Sequence, residues 1–409
     1  MRLEPIDREI DAGRFGAAAA QALCWQRSYG EALGAERFIP IVGAHVDACM
    51  YHGQSSLDFA THLRSLGGQV RVPTTLNSAV LDVTQPTLYG DTDRIEKQCA
   101  LTQHYVDLGC LPTMTCAPYQ RMVRPSLGDH VVWAESNAIV FANSVLGART
   151  DRYGDFADIC AALTGRTPEL GLHLERNRAA GLLIELPPPS DSLPRDVYFG
   201  LVGYCVGARA GNHIPALIGL PRDTGEDDLK SLGAAAASAG GLAMFHAVGI
   251  TPEAPDADHA CQGEDAQCPA ISIGEAELIE IWDSLNAATK GVDIDAICLG
   301  APHFSLTECG QLALLTSGKS KRPDLEFFVS VSRETLEQLK VQSGYETLVE
   351  FGVQFTVDTC TYIVPAFKKG AKQVMTNSVK WAHYGPANLG LDVILASLEA
   401  CVDAACHRS

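Results

Sequence analysis

The sequence lacks any run of about 18 apolar residues, the length that a membrane-spanning helix needs. Its most apolar stretch, residues 233–248, is rich in alanine and glycine and is interrupted. Residues 1–10 carry charges throughout and contain no apolar segment of the kind that a secretion signal requires. We therefore expect a cytoplasmic protein without a membrane partner.

Positive charge is also scarce. The 409 residues include 31 Lys and Arg against 49 Asp and Glu, a formal net charge of −18, and no basic run stands out. Because nucleic acids and anionic membranes attract clustered Lys and Arg, we expect neither as a partner. A small anionic substrate stays compatible with this composition, since a few local arginines can bind it.

Three signature loops are missing as well: the phosphate-binding P-loop, a G-x-G-x-x-G after a predicted strand, and the G-x-S-x-G elbow. Their absence argues against nucleotide-dependent and α/β-hydrolase chemistry. Cysteine, in contrast, is abundant, with 14 residues. In a cytosolic chain this abundance indicates metal ligands or reactive thiols, although most of these cysteines should be ordinary buried residues.

The length and the 20% of charged residues are typical of two or three α/β units in a globular enzyme. Breaks are predicted at residues 186–195, 251–270 and 318–323, which are rich in proline, glycine or polar residues. We expect three α/β regions: 1–190 with the Cys116 loop, 191–285, and 286–409 with Cys298 and Cys360.

The C-terminal region predicts a parallel sheet. Strands are expected at 296–299, 326–331 and 353–357, with a loop at 300–304. Ser305 and Glu308 form a capping box for one helix, Ser332 caps a helix over 334–348, and a single helix follows residue 389. Strands that alternate with helices in this way form parallel sheets with right-handed crossovers. In the N-terminal half, strands are expected at 38–43 and 70–73, the second followed by a polar turn at 74–77.

Three cysteines stand out by position. Cys298 lies near the end of one predicted strand and Cys360 just after another, so both should face the sheet edge where ligands of parallel sheets bind. Cys116, in TCAPY at residues 115–119, precedes Ala-Pro on a restricted backbone that would present a thiolate, although a buried loop thiol is the alternative. The three cysteines lie far apart in the sequence, whereas a zinc ribbon has its ligands in CxxC pairs. Their wide spacing suits an iron–sulfur site in which one iron is open to bind a substrate oxygen.

Polar residues form a second group of candidates. Several polar residues lie within the apolar segment after residue 134. Because buried polar groups need hydrogen-bond partners, they indicate either a ligand site or a dense internal network. Arg149 would bind a substrate carboxylate or form a structural ion pair. The predicted substrate-binding residues are Thr75, Ser136, Asn137, Asn143, Ser144 and Arg149.

The predicted catalytic residues are His303, Lys380 and Glu135. His303 lies over a predicted helix N-terminus, which favours an anion and lowers the pKa of a histidine. The alternative is a loop histidine bonded to backbone. Lys380 is a candidate acid, base or carboxylate-binding group, with a solvated helix start as its alternative.

Several long motifs resemble the aconitase X family, and specifically its catalytic large subunit. They occur in order as TCAPY at 115–119, AESNAIVFANSVLGART at 134–150, ALTGRTPELGLH at 162–173, GLAMFHAVGITPEAP at 241–255, CLGAPHFSLTE at 298–308, DTCTYI at 358–363 and TNSVKWAHYGP at 376–386. The resemblance covers most of the chain. It implies an aconitase-superfamily fold of three α/β domains around an iron–sulfur centre whose ligands are Cys116, Cys298 and Cys360.

Three cysteine ligands fit a [4Fe–4S] cluster, a [2Fe–2S] cluster with one other ligand, or mononuclear iron. In this family a small swivelling domain completes the site, either fused to the large part or made separately, and we expect a separate subunit here. Aconitases proper carry a serine base on that domain, so the resemblance implies that the general base belongs to the partner.

The family has two known activities. Bacterial members resemble cis-3-hydroxy-L-proline dehydratase, which forms Δ1-pyrroline-2-carboxylate, and archaeal members act as phosphomevalonate dehydratase. The sequence shows no concentrated basic cluster for a phosphate. We therefore expect a large subunit that dehydrates the small hydroxy acid cis-3-hydroxy-L-proline, in hydroxyproline degradation. The alternatives are a phosphomevalonate dehydratase large subunit and, in another class, a non-catalytic iron–sulfur or redox-sensing protein.

Overall fold

The computed structural model describes residues 1–86, 91–262, 268–286, 293–368 and 370–406. The predicted α/β class is confirmed: these residues form three parallel sheets with helices packed on them, and one short antiparallel pair of strands. No helix in the described ranges is both long and apolar enough to cross a membrane.

The N-terminal part contains a parallel sheet of order β3-β2-β4 and the antiparallel pair β1-β5. Its helices are α1 Pro5–Asp11, α2 Ala17–Ala32, α3 Gln54–Ser65, α4 Thr92–Asp107, α5 Ser136–Ser144 and α6 Ala157–Thr164. Its strands are β1 Phe38–Pro40, β2 Gly43–Val46, β3 Thr74–Leu76, β4 Val131–Trp133 and β5 Arg166–Pro168.

The middle part is a parallel sheet of order β8-β7-β6-β9. Strand β6, which precedes the expected boundary at residue 190, is hydrogen-bonded into this sheet. Its elements are β6 Leu182–Glu185, α7 Arg195–Ala210, β7 Pro215–Ile218, α8 Glu226–Gly240, β8 His246–Ala247, α9 Ala257–Ala260, β9 Ala270–Ser272 and α10 Glu275–Leu285. The predicted break at 251–270 contains α9, and its residues 263–267 lie outside the described residues.

The C-terminal part is a five-stranded parallel sheet of order β12-β11-β10-β13-β14, buried on both faces by apolar side chains. Its strands are β10 Ala296–Phe304, β11 Glu326–Val331, β12 Gln354–Thr356, β13 Gln373–Thr376 and β14 Asp392–Leu395. Its helices are α11 Leu306–Thr316, α12 Arg333–Lys340, α13 Ser343–Phe351, α14 Val379–Leu389 and α15 Leu398–Cys406. The predicted parallel sheet, the Ser305–Glu308 capping box and the Ser332 cap are confirmed.

Five local predictions are wrong. The single strand expected at 38–43 is divided into β1 and the start of β2, which belong to different sheets. No strand forms at 70–73, because Val70 and Arg71 donate their backbone N–H groups to the carbonyls of Leu108 and Ala162 and not to β2. The strand of this region is β3, which lies where the polar turn was predicted. Residues 300–304 extend β10, with irregular pairing after Leu299. The single helix expected at 334–348 is divided into α12 and α13, and the single helix expected after residue 389 is preceded by β14, which completes the sheet.

Close packing of α7 on α8 depends on a glycine. A Cβ atom at Gly203 would lie 2.1 Å from the carbonyl oxygen of Leu232. We expect Gly203→Ala to lower the free energy of unfolding by about 1–3 kcal/mol, because backbone cannot move aside as a side chain can. Gly310→Ala in α11 is the matched control, since its added methyl meets nothing within 4 Å and helix propensity should favour it. Equal melting temperatures for the two variants would contradict this account.

Candidate active site

Residues at the carboxyl ends of the N-terminal and C-terminal sheets come into contact at one place, which we call the cleft. From the N-terminal sheet, Asp47 follows β2, Asn77 follows β3 and Glu135 follows β4. The segment after β3 reaches the C-terminal part, where the backbone N–H of Ala79 donates to the carbonyl of Asp358 at 2.6 Å. Ligands of parallel sheets bind at this end of the strands, so the cleft is the candidate active site.

Two of the three predicted metal ligands are in contact in this cleft. The Sγ atoms of Cys116 and Cys360 lie 3.9 Å apart, and both residues are buried. Burial by itself raises the pKa of the Cys116 thiol, but the hydrogen bond with Cys360, together with the nearby His303 and Lys380, outweighs burial and lowers that pKa to about 5. The same bond, together with burial, raises the pKa of Cys360. The pair therefore ionises readily once and holds its second proton tightly.

His303, at the end of β10, has every polar atom engaged. Its backbone N–H donates to Cys116 Sγ at 3.3 Å, and its carbonyl accepts from Gln120 Nε2 at 2.9 Å. Its ring Nδ1 lies 3.0 Å from the Thr115 hydroxyl, and Nε2 lies 3.0 Å from the carbonyl of Thr359. Since a carbonyl only accepts, Nε2 donates to Thr359, while Nδ1 is hydrogen-bonded to the Thr115 hydroxyl. His303 thus orients both cysteine loops.

The Cys360 loop is fixed by an ion pair next to it. Arg333 donates to both carboxylate oxygens of Asp358, at 2.5 and 2.7 Å. Asp358 has a positive φ of 66°, which is uncommon for a residue other than glycine. The two-pronged ion pair stabilises this conformation and so directs the Thr359 carbonyl towards His303.

The predicted catalytic residues Lys380 and Glu135 form a buried ion pair. Lys380 Nζ lies 2.8 Å from Glu135 Oε1, and the two side chains are 4% and 7% exposed. Burial lowers the pKa of Lys380, but the charge of Glu135, helped by Tyr362 and the two cysteines, outweighs burial and raises it. The ammonium therefore stays charged beside the two thiols.

Helix α5 connects this ion pair to the cysteines. The backbone N–H of Ala138 donates to Glu135 Oε2 at 2.7 Å, so Glu135 caps the helix. Asn137 Nδ2 donates to Glu135 and, at 2.7 Å, to the carbonyl of Cys116, while Asn137 Oδ1 accepts from Tyr119 at 2.5 Å. Ser136 Oγ lies 3.3 Å from Glu135 Oε1. Glu135, Ser136 and Asn137 are thus brought together with the cysteine pair.

Cys298 occupies a different environment. It lies in the regularly paired part of β10, opposite Phe328, and its side chain packs in the apolar core. Burial raises its pKa to about 12, against a hydrogen bond from Thr361. Cys116, Cys360 and His303 have ligand atoms within 4.8 Å of one another, whereas Cys298 is not in that group. Its ligand role stays a prediction.

Three predicted substrate-binding residues lie in an internal network at the other end of α5. The side chain of Asn143 makes two hydrogen bonds to the backbone of Thr150, and its Oδ1 atom also accepts a hydrogen bond from the buried Arg178. Ser144 Oγ accepts from the backbone N–H of Phe245 at 2.9 Å. Arg149 pairs with Glu175. These contacts match the internal network and ion pair that the sequence left as alternatives.

Thr75 is buried in β3, and its hydroxyl lies 2.8 Å from Nδ1 of His45. Burial lowers the pKa of His45 to about 3, so this histidine is neutral. Sequence reasoning did not select three polar residues of the cleft: Asp47, Asn77 and Ser78. The rule that ligands bind after parallel strands could have selected them, but the wrong strands at 38–43 and 70–73 obscured the ends of β2 and β3.

The chain matches family models of aconitase X along nearly its whole length. The first, second and third aconitase X domains match residues 1–176, 182–283 and 294–407. The chain belongs to the aconitase X family. The crystal structure of Thermococcus kodakaraensis aconitase X in its holo form superimposes with a TM-score of 0.88 at 31% identity, covering 99% of this chain and 100% of that one.

Curated relatives of this aconitase X chain have two names. Cis-3-hydroxy-L-proline dehydratases of Pseudomonas aeruginosa and Hypocrea jecorina are 41% and 42% identical over 99% of this chain, which spans 70% and 69% of their lengths. The phosphomevalonate dehydratase large subunit of Methanothermobacter thermautotrophicus is 33% identical over 96% of both chains. Both names denote dehydratases, which are hydro-lyases, and "large subunit" implies a small-subunit partner.

The donor set of the cleft fits the iron centre expected for the family. Thiolates are the ligands that iron–sulfur clusters take in proteins. Cys116 and Cys360 offer two buried sulfurs in contact, one with a pKa of about 5. The backbone N–H of His303 donates to the first of these sulfurs, a contact that stabilises a metal-bound thiolate.

Loss of the Lys380 ammonium should destabilise this aconitase X chain. We expect Lys380→Met to lower the free energy of unfolding by about 3–5 kcal/mol, because it leaves the Glu135 carboxylate buried without its partner. Denaturant unfolding measures the change, and the double variant Glu135→Gln/Lys380→Met should recover part of the loss. Lys340→Met is the matched control, since the pair of Lys340 with Glu337 is exposed. Equal losses in Lys380→Met and the control would refute this role.

Proposed function

We propose that this chain is the large subunit of an iron-dependent hydro-lyase that dehydrates cis-3-hydroxy-L-proline to Δ1-pyrroline-2-carboxylate. The observation that carries the proposal is the identity of 41–42% to two dehydratases of that name, from a bacterium and a fungus, against 33–34% to five phosphomevalonate dehydratase large subunits. The cleft adds a buried ammonium beside two sulfurs, a combination suited to a small hydroxy acid.

Cys116 and Cys360, with Cys298 as the expected third ligand, would hold the iron–sulfur centre. When bound, such a centre supplies a Lewis acid for the departure of the substrate hydroxyl. Three sulfur ligands are compatible with each possible centre: a [2Fe–2S] cluster, a [4Fe–4S] cluster or a single iron.

Lys380 is the group that binds the substrate carboxylate in this proposal. Its ammonium is buried, charged and adjacent to the two cysteines, so it attracts an anion at that point. Electrostatic stabilisation there also favours removal of the proton on the carbon next to the carboxylate, because negative charge develops on the carboxylate oxygens. Ser136 and Asn137 hold Glu135, and Glu135 holds Lys380, in the required position.

The general base is assigned to the partner subunit. Both carboxylate oxygens of Glu135 accept hydrogen bonds, and both ring nitrogens of His303 are occupied. Neither group is therefore free to accept a substrate proton, and we assign both to positioning. Five relatives are named large subunits, a name that implies a small-subunit partner, and we assign the swivelling domain and the base to that partner.

Phosphomevalonate dehydration is the second candidate, since five of the relatives carry that name. A phosphate needs a cluster of free cationic groups. The guanidinium groups of Arg333, Arg178 and Arg149 are instead each paired with a carboxylate, of Asp358, Glu253 and Glu175. Because Lys380 is paired in the same way, the higher sequence identity to the hydroxyproline dehydratases is what favours the first candidate.

The two substrates can be separated directly. The large chain, reconstituted anaerobically with iron and its small subunit, should convert cis-3-hydroxy-L-proline and leave phosphomevalonate unchanged, as followed by product formation. Turnover of phosphomevalonate alone would establish the second candidate. A fully iron-loaded complex inactive on both would favour the non-catalytic iron–sulfur protein.

The ligand set can be tested by iron content. We expect Cys116→Ser, Cys360→Ser and Cys298→Ser each to lose most of the bound iron and the visible absorption, because a serine hydroxyl replaces a thiolate ligand poorly. Cys160→Ser is the matched control, a buried cysteine on α6 that should keep full iron. A Cys298→Ser protein with full iron content would remove Cys298 from the set.

A further inference from the structure

Asp47 is a half-buried carboxylate at the carboxyl end of β2, without a cationic partner among the described residues. Its side chain accepts from Asn77 Nδ2, and its backbone N–H donates to Asp158 at 2.7 Å. The charged groups that act on it, Glu135, Asp155 and Asp158, are all acidic. Glu135 is neutralised by Lys380, whereas nothing of opposite charge neutralises Asp47.

This environment disfavours a bare negative charge. Burial raises the pKa of Asp47 to about 7, the Asn77 hydrogen bond opposes the shift, and the neighbouring carboxylates add to it. A buried carboxylate is stabilised when a cation comes within a few ångströms of it. A cation placed at Asp47 would therefore stabilise the ionised form of this carboxylate.

Two buried acceptors beside Asp47 also lack partners. The side-chain oxygens of Asn77 and Ser78 make no hydrogen bond of ordinary length to the described residues, although the two residues are only 3% and 2% exposed; the Asn77 side chain also acts on the ring of His45. Buried polar atoms in native proteins nearly always have a partner, protein or otherwise. Asn77 contacts Asp47 directly, and the next residue, Ala79, is hydrogen-bonded to Asp358 in the segment that leads to Cys360. Asn77 thus lies against Asp47, and Ser78 lies in the segment that joins the two sheets.

We propose that Asp47, with Asn77 and Ser78, binds the ring ammonium of the substrate and so selects an amino acid over a hydroxy acid without nitrogen. A secondary ammonium has one positive charge and two N–H donors, which match one carboxylate and the unpaired oxygens next to it. Lys380 would then hold the carboxylate of the same molecule. Phosphomevalonate has no N–H donor and no cation, so this subsite would not favour it. The inference rests on the proposed hydroxyproline activity.

Asp47→Asn in the iron-loaded complex with the small subunit tests the subsite, because it keeps the shape and removes the charge. A hydrogen bond to a charged group is worth about 10- to 100-fold in binding, so KM for cis-3-hydroxy-L-proline should rise by that factor while kcat changes little. The second probe is cis-2-hydroxycyclopentane-1-carboxylate, in which CH2 replaces the ring nitrogen. Its inhibition constant should be the same for both proteins. Asp93→Asn, an exposed carboxylate on α4, is the matched control and should behave as the unchanged protein.

Three results would overturn the inference: an unchanged KM in Asp47→Asn, equal weakening of the carbocyclic probe, or loss of kcat with KM preserved, which would mark Asp47 as a base. Each leaves the proposed function standing if the unchanged protein still converts hydroxyproline. If the unchanged complex neither binds hydroxyproline in calorimetry nor converts it, the proposed function and this inference both fail. Ser78→Ala should raise KM by a smaller factor than Asp47→Asn, since it removes one neutral partner.

Discussion

The buried ion pair of Glu135 and Lys380 joins the two sheets on which the site is built. Glu135 follows β4 of the N-terminal sheet, and Lys380 lies in the first turn of α14, directly after β13 of the C-terminal sheet. A cation in the first turn of a helix is disfavoured by the helix dipole, and burial adds a desolvation cost. Glu135 compensates both, and at the same time it caps α5 with its second oxygen. Each charge therefore requires the other.

The positions of the sulfurs follow from this pair. Asn137, which is bonded to Glu135, also holds the carbonyl of Cys116. His303 then connects Cys116 to the Cys360 loop through its backbone N–H and its ring. Such a network of mutually satisfied polar groups is rigid because any member that moved would leave a buried partner unsatisfied. A rigid pair of thiols is what a metal centre needs for a defined geometry.

Polar groups of the cleft fall into two kinds. Glu135, Asn137 and His303 have their hydrogen bonds completed by the chain itself, which suits a scaffold. Asp47 and Ser78 do not, which suits contact with something outside the chain. Whether the chain itself completes the hydrogen bonds of a residue therefore separates positioning residues from binding residues. Both kinds lie near the carboxyl ends of the parallel strands.

Local patterns in the sequence predicted the C-terminal strands, the caps at Ser305 and Ser332, and the proximity of Cys360 to the ligand-binding edge, because capping and strand periodicity are short-range effects. The same patterns failed at β3 and at β14. Thr74–Leu76 is a strand because β2 offers it hydrogen bonds, and Asp392–Leu395 is a strand because β13 does. Neither partner can be seen in a local window.

The sequence by itself determined the α/β class, the family and the residue types of the site, including Cys116, Cys360, Glu135 and Lys380. Only the tertiary structure decided which of them meet. It joined Glu135 to Lys380 across 245 residues and Cys116 to Cys360 across 244, and it placed Arg149 in an ion pair with Glu175 instead. The physical reason is that burial and pairing of charges depend on long-range packing, whereas residue type and periodicity are properties of the local chain.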